Sequence, residues 1–286
     1  MQAPASHVPA HIYIWDNRVL YAGPSIEPRY RNYGSAALVV GVEGNLRLHR
    51  QTHANEVVEA RACLIRPGLP VWLESDSPSF MVLFLDPFQH DLRALAKTAA
   101  HQDYDIFWSL AGEGQLIDLA RYILKASPAP QAILAGLVKA GLPDIDRLDP
   151  EGVDPRVVKA VGVLRGGRTQ SITTEDLAAT VSLSVPRVIQ LFRQYLGISA
   201  GKYRQWHRLH ATTLAIGHGQ TFTQASVASG FSDLAHFSNT FHSMMGIMPS
   251  RLFRSNGGVR FHIDPRLSAQ GFSALSGIDS AVSTMC

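Results

Sequence analysis

Two helix-turn-helix patterns stand in tandem in the last third of this 286-residue chain, at Thr173–Leu196 and Thr223–Gly246. In the first, Leu177, Ala178 and Val181 have the apolar spacing of a short helix starting near Thr174, and Glu175 and Asp176 complement its N-terminal dipole. A turn follows at Ser182. Ser184 then occupies an N-cap position, and Pro186 falls in the first turn, where a missing N–H costs nothing. Val188, Leu191, Phe192 and Tyr195 form an i, i+3, i+4, i+7 stripe that stops at Gly197. The second pattern repeats this with Ala225 and Ala228, a turn at Gly230, Asp233 as N-cap, the stripe Phe237, Phe241 and Met245, and a stop at Gly246. Between the two, Ser199–Ala215 reads as one amphipathic helix of about 17 residues, about 25 Å long. Such a rod can hold two recognition helices about one DNA turn, about 34 Å, apart.

The text that carries these patterns is DPRVVKAV from Asp154, then TEDLAATVSLSVPRVIQLFRQYLGISAGKYRQWHRLHAT, then GFSDLAHFSNTFHSMMGIMPSRLFR ending at Arg254. It resembles the DNA-binding domain of the AraC/XylS family of bacterial transcriptional regulators. The segments Leu191–Tyr203 and Gly230–Pro249 are the most specific. The resemblance implies that the second helix of each motif enters a major groove. On the first, Pro186, Ile189 and Gln190 face base edges, and Arg187 and Arg193 face phosphates. On the second, the matching positions are Leu234, Ala235, His236, Ser238 and Asn239. Gln190 can pair bidentately with adenine N6 and N7, whereas Pro186 and Ile189 offer only apolar contact to thymine methyl groups.

The chain departs from the family's pattern in three places. Asn239 stands where many relatives have Arg, and His242 and Ser243 stand where Lys or Arg is common, so no permanent positive charge occurs from Asp233 to Gly246. Three readings stay open: the first helix supplies most of the specificity, the second half-site is bound weakly, or Arg204, Arg208 and Arg251 compensate. Ser182 occupies a turn position suited to a residue tolerant of positive φ. Ala225 replaces a larger aliphatic core residue, which leaves space that must be refilled.

Charge divides the chain in the same place. Residues 155–260 carry twelve Lys and Arg against three Asp and Glu, a net of +9, while the whole chain is only +3, so the remainder is −6. A basic segment joined to an acidic one points to phosphate-backbone binding in the C-terminal part.

Residues 1–86 read differently. HIYIW, ALVVGV, LRLHR, EVVEARACLIR, VWLES and FMVLFLD are short strand-like runs, separated by turn signals at Gly23-Pro24, Gly44-Asn45, Pro67-Gly68 and Ser77-Pro78. This spacing predicts a small antiparallel barrel or sandwich. The Val42-Glu43-Gly44 and Ile65-Arg66-Pro67-Gly68 turns resemble those of the cupin-type sensor domain that commonly precedes this DNA-binding module. A metal-binding cupin needs a converging set of His and Glu ligands. Tyr30-Arg31-Asn32-Tyr33 replaces the expected His-x-His pair, and Pro70-Val71-Trp72 lacks the later His. His49 and His53 fall at a hairpin. Neither a metal nor another cofactor is therefore expected, and no catalytic residues are assigned. The barrel is read instead as a pocket for a small effector, with Tyr13, Trp15, Tyr30, Arg31, Tyr33, Arg47 and Trp72 as candidate stacking faces and polar anchors.

From Pro87 to Ala140 the pattern turns helical, at Asp91–Ala100, Gln115–Ala126 and Gln131–Ala140. Leu116, Leu119, Ala120 and Ile123 lie on a broad apolar stripe. In the resembling family such helices often make a dimer contact, and an intramolecular core helix is the alternative. Residues 141–153, rich in Pro, Gly and Asp, read as the interdomain linker, and 255–286 as a loosely held tail with a short strand at Val259–Ile263.

The expected architecture is therefore α+β and multidomain. A cupin-like β-barrel (1–86) is followed by a helical segment (87–140), the linker (141–153), an all-α DNA-binding domain with two helix-turn-helix motifs (154–254), and the tail. No apolar run approaches the roughly 18 residues needed to span a bilayer. The N-terminal MQAPASHVPAH lacks the basic and apolar regions of an export signal, and two cysteines, Cys63 and Cys286, imply no disulfide framework. These features fit a cytoplasmic protein. The expected partners are double-stranded promoter DNA, a small-molecule effector, RNA polymerase and a second copy of the chain, with no membrane. The rival classes are an effector-binding or interaction protein with a weakened DNA-binding module, and a cupin enzyme.

Overall fold

A computed structural model describes residues 9–25, 27–50, 53–88, 90–144, 152–165, 172–254 and 258–267. The N-terminal part holds strands β1 (Ala10–Ile14), β2 (Arg18–Pro24), β3 (Arg29–Asn32), β4 (Ala36–Gly41), β5 (Leu46–Arg50), β6 (His53–Ala60), β7 (Ala62–Ile65), β8 (Pro70–Ser75) and β9 (Ser79–Leu85). Helix α1 (His90–Lys97), the hairpin β10 (Ala99–Asp103) and β11 (Ile106–Leu110), and helices α2 (Glu113–Ala126) and α3 (Pro130–Lys139) follow. The C-terminal part comprises α4 (Pro155–Arg165), α5 (Thr174–Thr180), α6 (Val185–Leu196), α7 (Ala200–Gly217), α8 (Phe222–Ala228), α9 (Leu234–Met245), α10 (Pro249–Arg254) and a last strand, β12 (Val259–Ile263).

The strands form two hydrogen-bonded sheets rather than one closed barrel. The larger runs β10-β11-β7-β4-β9-β2-β1-β12 and the smaller β3-β8-β5-β6. The larger sheet is covered on both faces, which explains why β4 and β9 are buried at every residue. Side chains alternate along a strand. Ala37, Val39, Val82 and Phe84 therefore point to one apolar cluster, shared with Leu46, Leu48, Val71 and Leu73 of the smaller sheet. Leu38, Val40, Met81 and Leu83 point to another, shared with α2 and α3. Arg18 of β2 meets Asp91 of α1 at 2.6 Å, each side chain only 2% exposed, and the same guanidinium donates to the Pro143 carbonyl at 3.0 Å. That buried pair anchors α1 and the end of the helical segment to the sheet.

Three expectations need correction. Helix α1 stops at Lys97, because the chain turns into the β10–β11 hairpin, whose apolar Ile106–Trp108 extends the large sheet by pairing with Cys63–Ile65. The sheet thus draws strands from beyond residue 86. Leu116, Leu119, Ala120 and Ile123 are all buried against the sheet and α3 within one chain. Their apolar stripe is spent on the intramolecular core, so those side chains are not free for a dimer contact. Strand β12 is not loosely held: it pairs in parallel with β1 over Ala10–Ile14. The expected linker lies outside the described residues at 145–151, as does the tail at 255–257 and 268–286.

The β1–β12 seam brings two imidazoles together, with His11 Nδ1 3.2 Å from His262 Nε2 and the His262 ring stacked on Tyr13 at 4.2 Å. Burial, His262 and Arg260 push His11 down to about 4, and burial and Arg260 push His262 down as well. Both rings are thus held neutral. An undocked strand takes up protons below about 6.5 that the docked strand refuses, so docking is favoured above that pH and weakens as pH falls towards about 4. Hydrogen exchange, corrected for intrinsic rates, is expected to show falling protection of β1 and β12 amides across that window. Unchanged protection would remove the histidine pair as the cause.

Candidate nucleic-acid interface

Local signals build both motifs. Helix α5 starts at a capping box in which the Thr173 hydroxyl accepts from Asp176 N–H at 3.1 Å and the Asp176 carboxylate accepts from Thr173 N–H at 2.9 Å. Thr221 and Gln224 repeat the device at α8. Asp233 caps α9 by accepting from His236 N–H at 2.7 Å, and that bond, with the Ser232 hydroxyl, holds its carboxyl below the usual range. Both recognition helices end at left-handed glycines, Gly197 and Gly246, each with φ 75°. The turns within the two motifs are equivalent, but one carries Gly230 at φ 85° and the other Ser182 at φ 54°. The serine supports a left-handed backbone that only glycine adopts at no steric cost.

Val188, Leu191, Phe192 and Leu196 of α6 pack with Leu177, Ala178 and Val181, and Tyr195 is only half-buried. This leaves Pro186, Arg187, Gln190 and Arg193 exposed and Ile189 half-buried on the opposite face. Arg187 Nη1 donates to Gln190 Oε1 at 2.7 Å, which orients the amide. In α9, Phe237, Phe241 and Met244 are interior. Leu234, Ala235 and Asn239 are exposed, and His236 and Ser238 are half-buried. Ala225 is fully buried within α8.

Helix α7 joins the motifs and is fastened to the N-terminal sheet. Tyr203 Oη donates to the buried Asp86 carboxylate at 2.9 Å, His207 Nε2 lies 3.2 Å from the same group, and Phe88 N–H donates to it at 2.9 Å. Hydrogen bonding and the charges of His207 and Arg165 hold the Asp86 carboxyl below the usual range in spite of its burial. His210 Nε2 meets the Trp15 carbonyl at 2.7 Å. Trp206 stacks obliquely near Phe84, with ring centres 5.6 Å apart.

The candidate effector residues do not converge. Tyr13 and Trp15 are buried on the α2–α3 side of the sheet, where Tyr13 Oη donates to Pro128 O at 2.9 Å. Tyr33 is packed in the cluster between the sheets. Arg47 is exposed and paired with Asp76 at 2.7 Å. Tyr30 and Trp72 meet edge-on at 5.1 Å, and Tyr30 and Arg31 line one crevice with α9. These residues come from β1, β3, β5 and β8 or the turns after them, which belong to two sheets, so they face different surfaces.

What sequence reasoning missed is an apolar crevice of about 40 Å³ between the sheet and the second motif, lined by Ile12, Val19, Phe84, Trp206, Leu209 and Phe241 among others. The repeat of Tyr203, Trp206, Leu209 and Thr213 at helical spacing was its available signal, because a rod that only spaced two motifs would not need a continuous buried stripe. Among the described residues no cluster of three or more His, Cys, Asp or Glu is arranged to hold a metal, and no helix is long and apolar enough to cross a membrane.

A helix-turn-helix domain family model matches residues 177–255. The HTH-type transcriptional regulator ArgR of Pseudomonas aeruginosa is 26% identical over 96 residues, a match that takes in 33% of this chain and only 29% of that relative. The structure of ToxT from Vibrio cholerae with an unsaturated fatty acid bound is similar with a TM-score of 0.54, covering 91% of this chain and all of that one at 14% identity, a likeness of fold. An AraC-type transcriptional regulator from Chromobacterium violaceum is 29% identical, covering 34% of this chain and 88% of its own, with a TM-score of 0.32.

Two substitutions probe this interface. Gln190→Ala is expected to weaken binding to a preferred duplex by about 1–3 kcal/mol and to erase preference at one base pair. An unchanged preference in a binding-site selection removes Gln190 as a base reader. Ser182→Gly is expected to raise stability by about 0.5–1 kcal/mol, since relief of left-handed strain outweighs the extra unfolded-state entropy. Denaturant unfolding with an unchanged or lower midpoint would count against strain at that turn.

Proposed function

We propose that this chain, whose residues 177–255 match a helix-turn-helix domain family, is a sequence-specific DNA-binding transcriptional regulator of the AraC type controlled by a small apolar effector. The observation that carries the reading is the pairing of two outward recognition faces with one connecting helix that is itself docked on a sheet-rich domain. Helix α6 presents Arg187, Gln190 and Arg193 to solvent, the combination of cations and an amide that holds a phosphate backbone and reads an adenine. Leu234, Ala235, His236, Ser238 and Asn239 present a second, uncharged reading face.

The effector's place is the apolar crevice beneath α7. Its lining offers few polar groups, chiefly His210, Thr213 and Tyr21, so it selects a largely hydrocarbon ligand. The unsaturated fatty acid held by ToxT belongs to that chemical class. The crevice has room for about three water molecules, whereas a drug-sized ligand needs about 300 Å³ or more. Admitting one requires α9 and the C-terminal half of α7, beyond the Asp86 contacts, to shift from the sheet. Binding therefore changes the relation between the two recognition helices, and through it the DNA sites they bridge. Promoter DNA, a second copy of the chain and RNA polymerase are the partners of such a regulator, and the cytoplasm is its compartment. We assign no catalytic activity.

Selection of sites from a random duplex library by the full chain, near physiological salt and with or without oleate, tests the proposal. Two enriched half-elements about 10 to 10.5 base pairs apart are expected, with oleate shifting affinity for DNA by the same factor as DNA shifts affinity for oleate. No enrichment under either condition would overturn the regulator. Enrichment indifferent to oleate and to other apolar ligands would overturn the effector.

A further inference from the structure

Helix α9 has no Lys or Arg, and its one basic side chain in the last turn, His242, is held neutral by burial and by Arg29. A recognition helix without cations keeps its base-reading side chains but lacks the charge-assisted phosphate contacts that add salt-dependent affinity. The tertiary structure puts cations beside it from another part of the chain. Strand β3 of the smaller sheet packs along α9. The Arg29 guanidinium touches the His242 ring, and Lys202 at the start of α7 reaches Asn32.

Arg31 is 1% exposed, lies over Gly246, and donates to the carbonyls of Glu27, Arg29 and Leu73 at 2.9–3.2 Å. The Nε atoms of Arg29 and Arg31 are buried without a hydrogen-bond partner. Glu27 is the carboxylate whose charge is felt at His242. Together Arg29, Tyr30, Arg31 and Asn32 of β3 face Asn239, His242 and Ser243 of α9 across an open crevice of about 440 Å³. This crevice is separate from the apolar one, because Phe241 and Met245 line that one from the other side of α9.

We propose that β3 supplies the phosphate contact that α9 lacks: Arg29 binds a DNA backbone phosphate flanking the groove read by α9, and buried Arg31 holds the strand in place and adds fixed positive potential. The inference rests on the DNA-binding reading above. Two observations favour a flanking contact over a blocked helix. Leu234, Ala235 and Asn239 remain exposed while β3 is docked, and β3 lies beside the C-terminal half of α9, leaving the N-terminal turn that enters the groove uncovered. An anion here is met by the Arg29 guanidinium at a polar, open mouth, with Arg31 buried behind it, unlike the largely apolar lining on the inner side.

The test is the salt dependence of binding by the full chain to its selected duplex. Arg29→Gln is expected to weaken binding about five- to tenfold, equally for cognate and mismatched duplexes, and to reduce the slope of log K against log salt by about one phosphate's worth, 0.9. Arg29→Lys, which keeps the charge, is expected to restore the slope. Arg187→Gln on α6 serves as the reference for a phosphate contact. An unchanged slope in Arg29→Gln beside a lowered one in Arg187→Gln overturns the β3 contact and leaves the regulator standing. Tighter binding by Arg29→Gln also overturns it, and shows that β3 obstructs α9. A loss of oleate affinity with DNA binding intact assigns the crevice to a ligand carboxylate and overturns it too. Absence of wild-type binding to any duplex, with or without oleate, fails both proposals together.

Discussion

Helix α7 cannot move without disturbing a buried carboxylate. Asp86 follows directly on β9, the strand that lies between β4 and β2 in the large sheet, and a charged group there costs several kcal/mol unless its lone pairs are met. They are met by the Tyr203 hydroxyl of α7 and the Phe88 amide, and the His207 ring, also on α7, lies 3.2 Å away. The orientation of the connecting helix is therefore tied to the sheet by an interaction that tolerates little sliding. Trp206 and Leu209 add apolar burial beside it, and β12 returns the chain to β1 beyond the second motif. This attachment fixes the connecting helix, and each motif adds its own contacts to the N-terminal part.

The attachment also makes the two recognition helices unequal. The first motif has its own closed core, joined to the N-terminal part chiefly through Phe88 and through the contact of the Pro67-Gly68 turn with Gly197. The second shares its core with the sheets, since Phe231, Phe237, Phe241 and Met244 belong to the same apolar cluster as Val39, Leu48 and Phe84. A change in that cluster reaches α9 directly, whereas α6 lies outside it. The charged helix is thus the more autonomous, and the uncharged one is the more exposed to whatever occupies the seam.

Much of the interface was legible because its signals are local. Thr173, Thr221 and Asp233 bond to amides three residues away, and Gly197 and Gly246 stop helices by their own backbone freedom, so sequence order is enough to place them. The apolar stripes of α6 and α9 were read nearly to the residue, with Leu196 interior in place of Tyr195 and Met244 in place of Met245. The effector residues were not legible. Tyr13 and Tyr33 are both aromatic and both near a turn, yet Tyr13 lies on the α2–α3 side of the large sheet and Tyr33 between the two sheets, a difference set by how the sheets and helices pack. The stripe at Leu116–Ile123 was visible as apolar, but periodicity does not say whether a sheet or a second chain covers it.

The amino-acid order alone determined the two helix-turn-helix units, the excess of positive charge around them, the strand-rich composition ahead of them and the absence of charge on α9, since each follows from contacts or counts within a few neighbouring residues. Only the tertiary structure decided that the strands form two sheets, that β10, β11 and β12 join the larger one, that α2 is spent on the core, and that Arg29 and Arg31 lie beside Asn239 and His242, more than 200 positions away. Those pairings depend on long-range register and on the docking of α7. Their free energy comes from burying whole faces together, which no local pattern encodes.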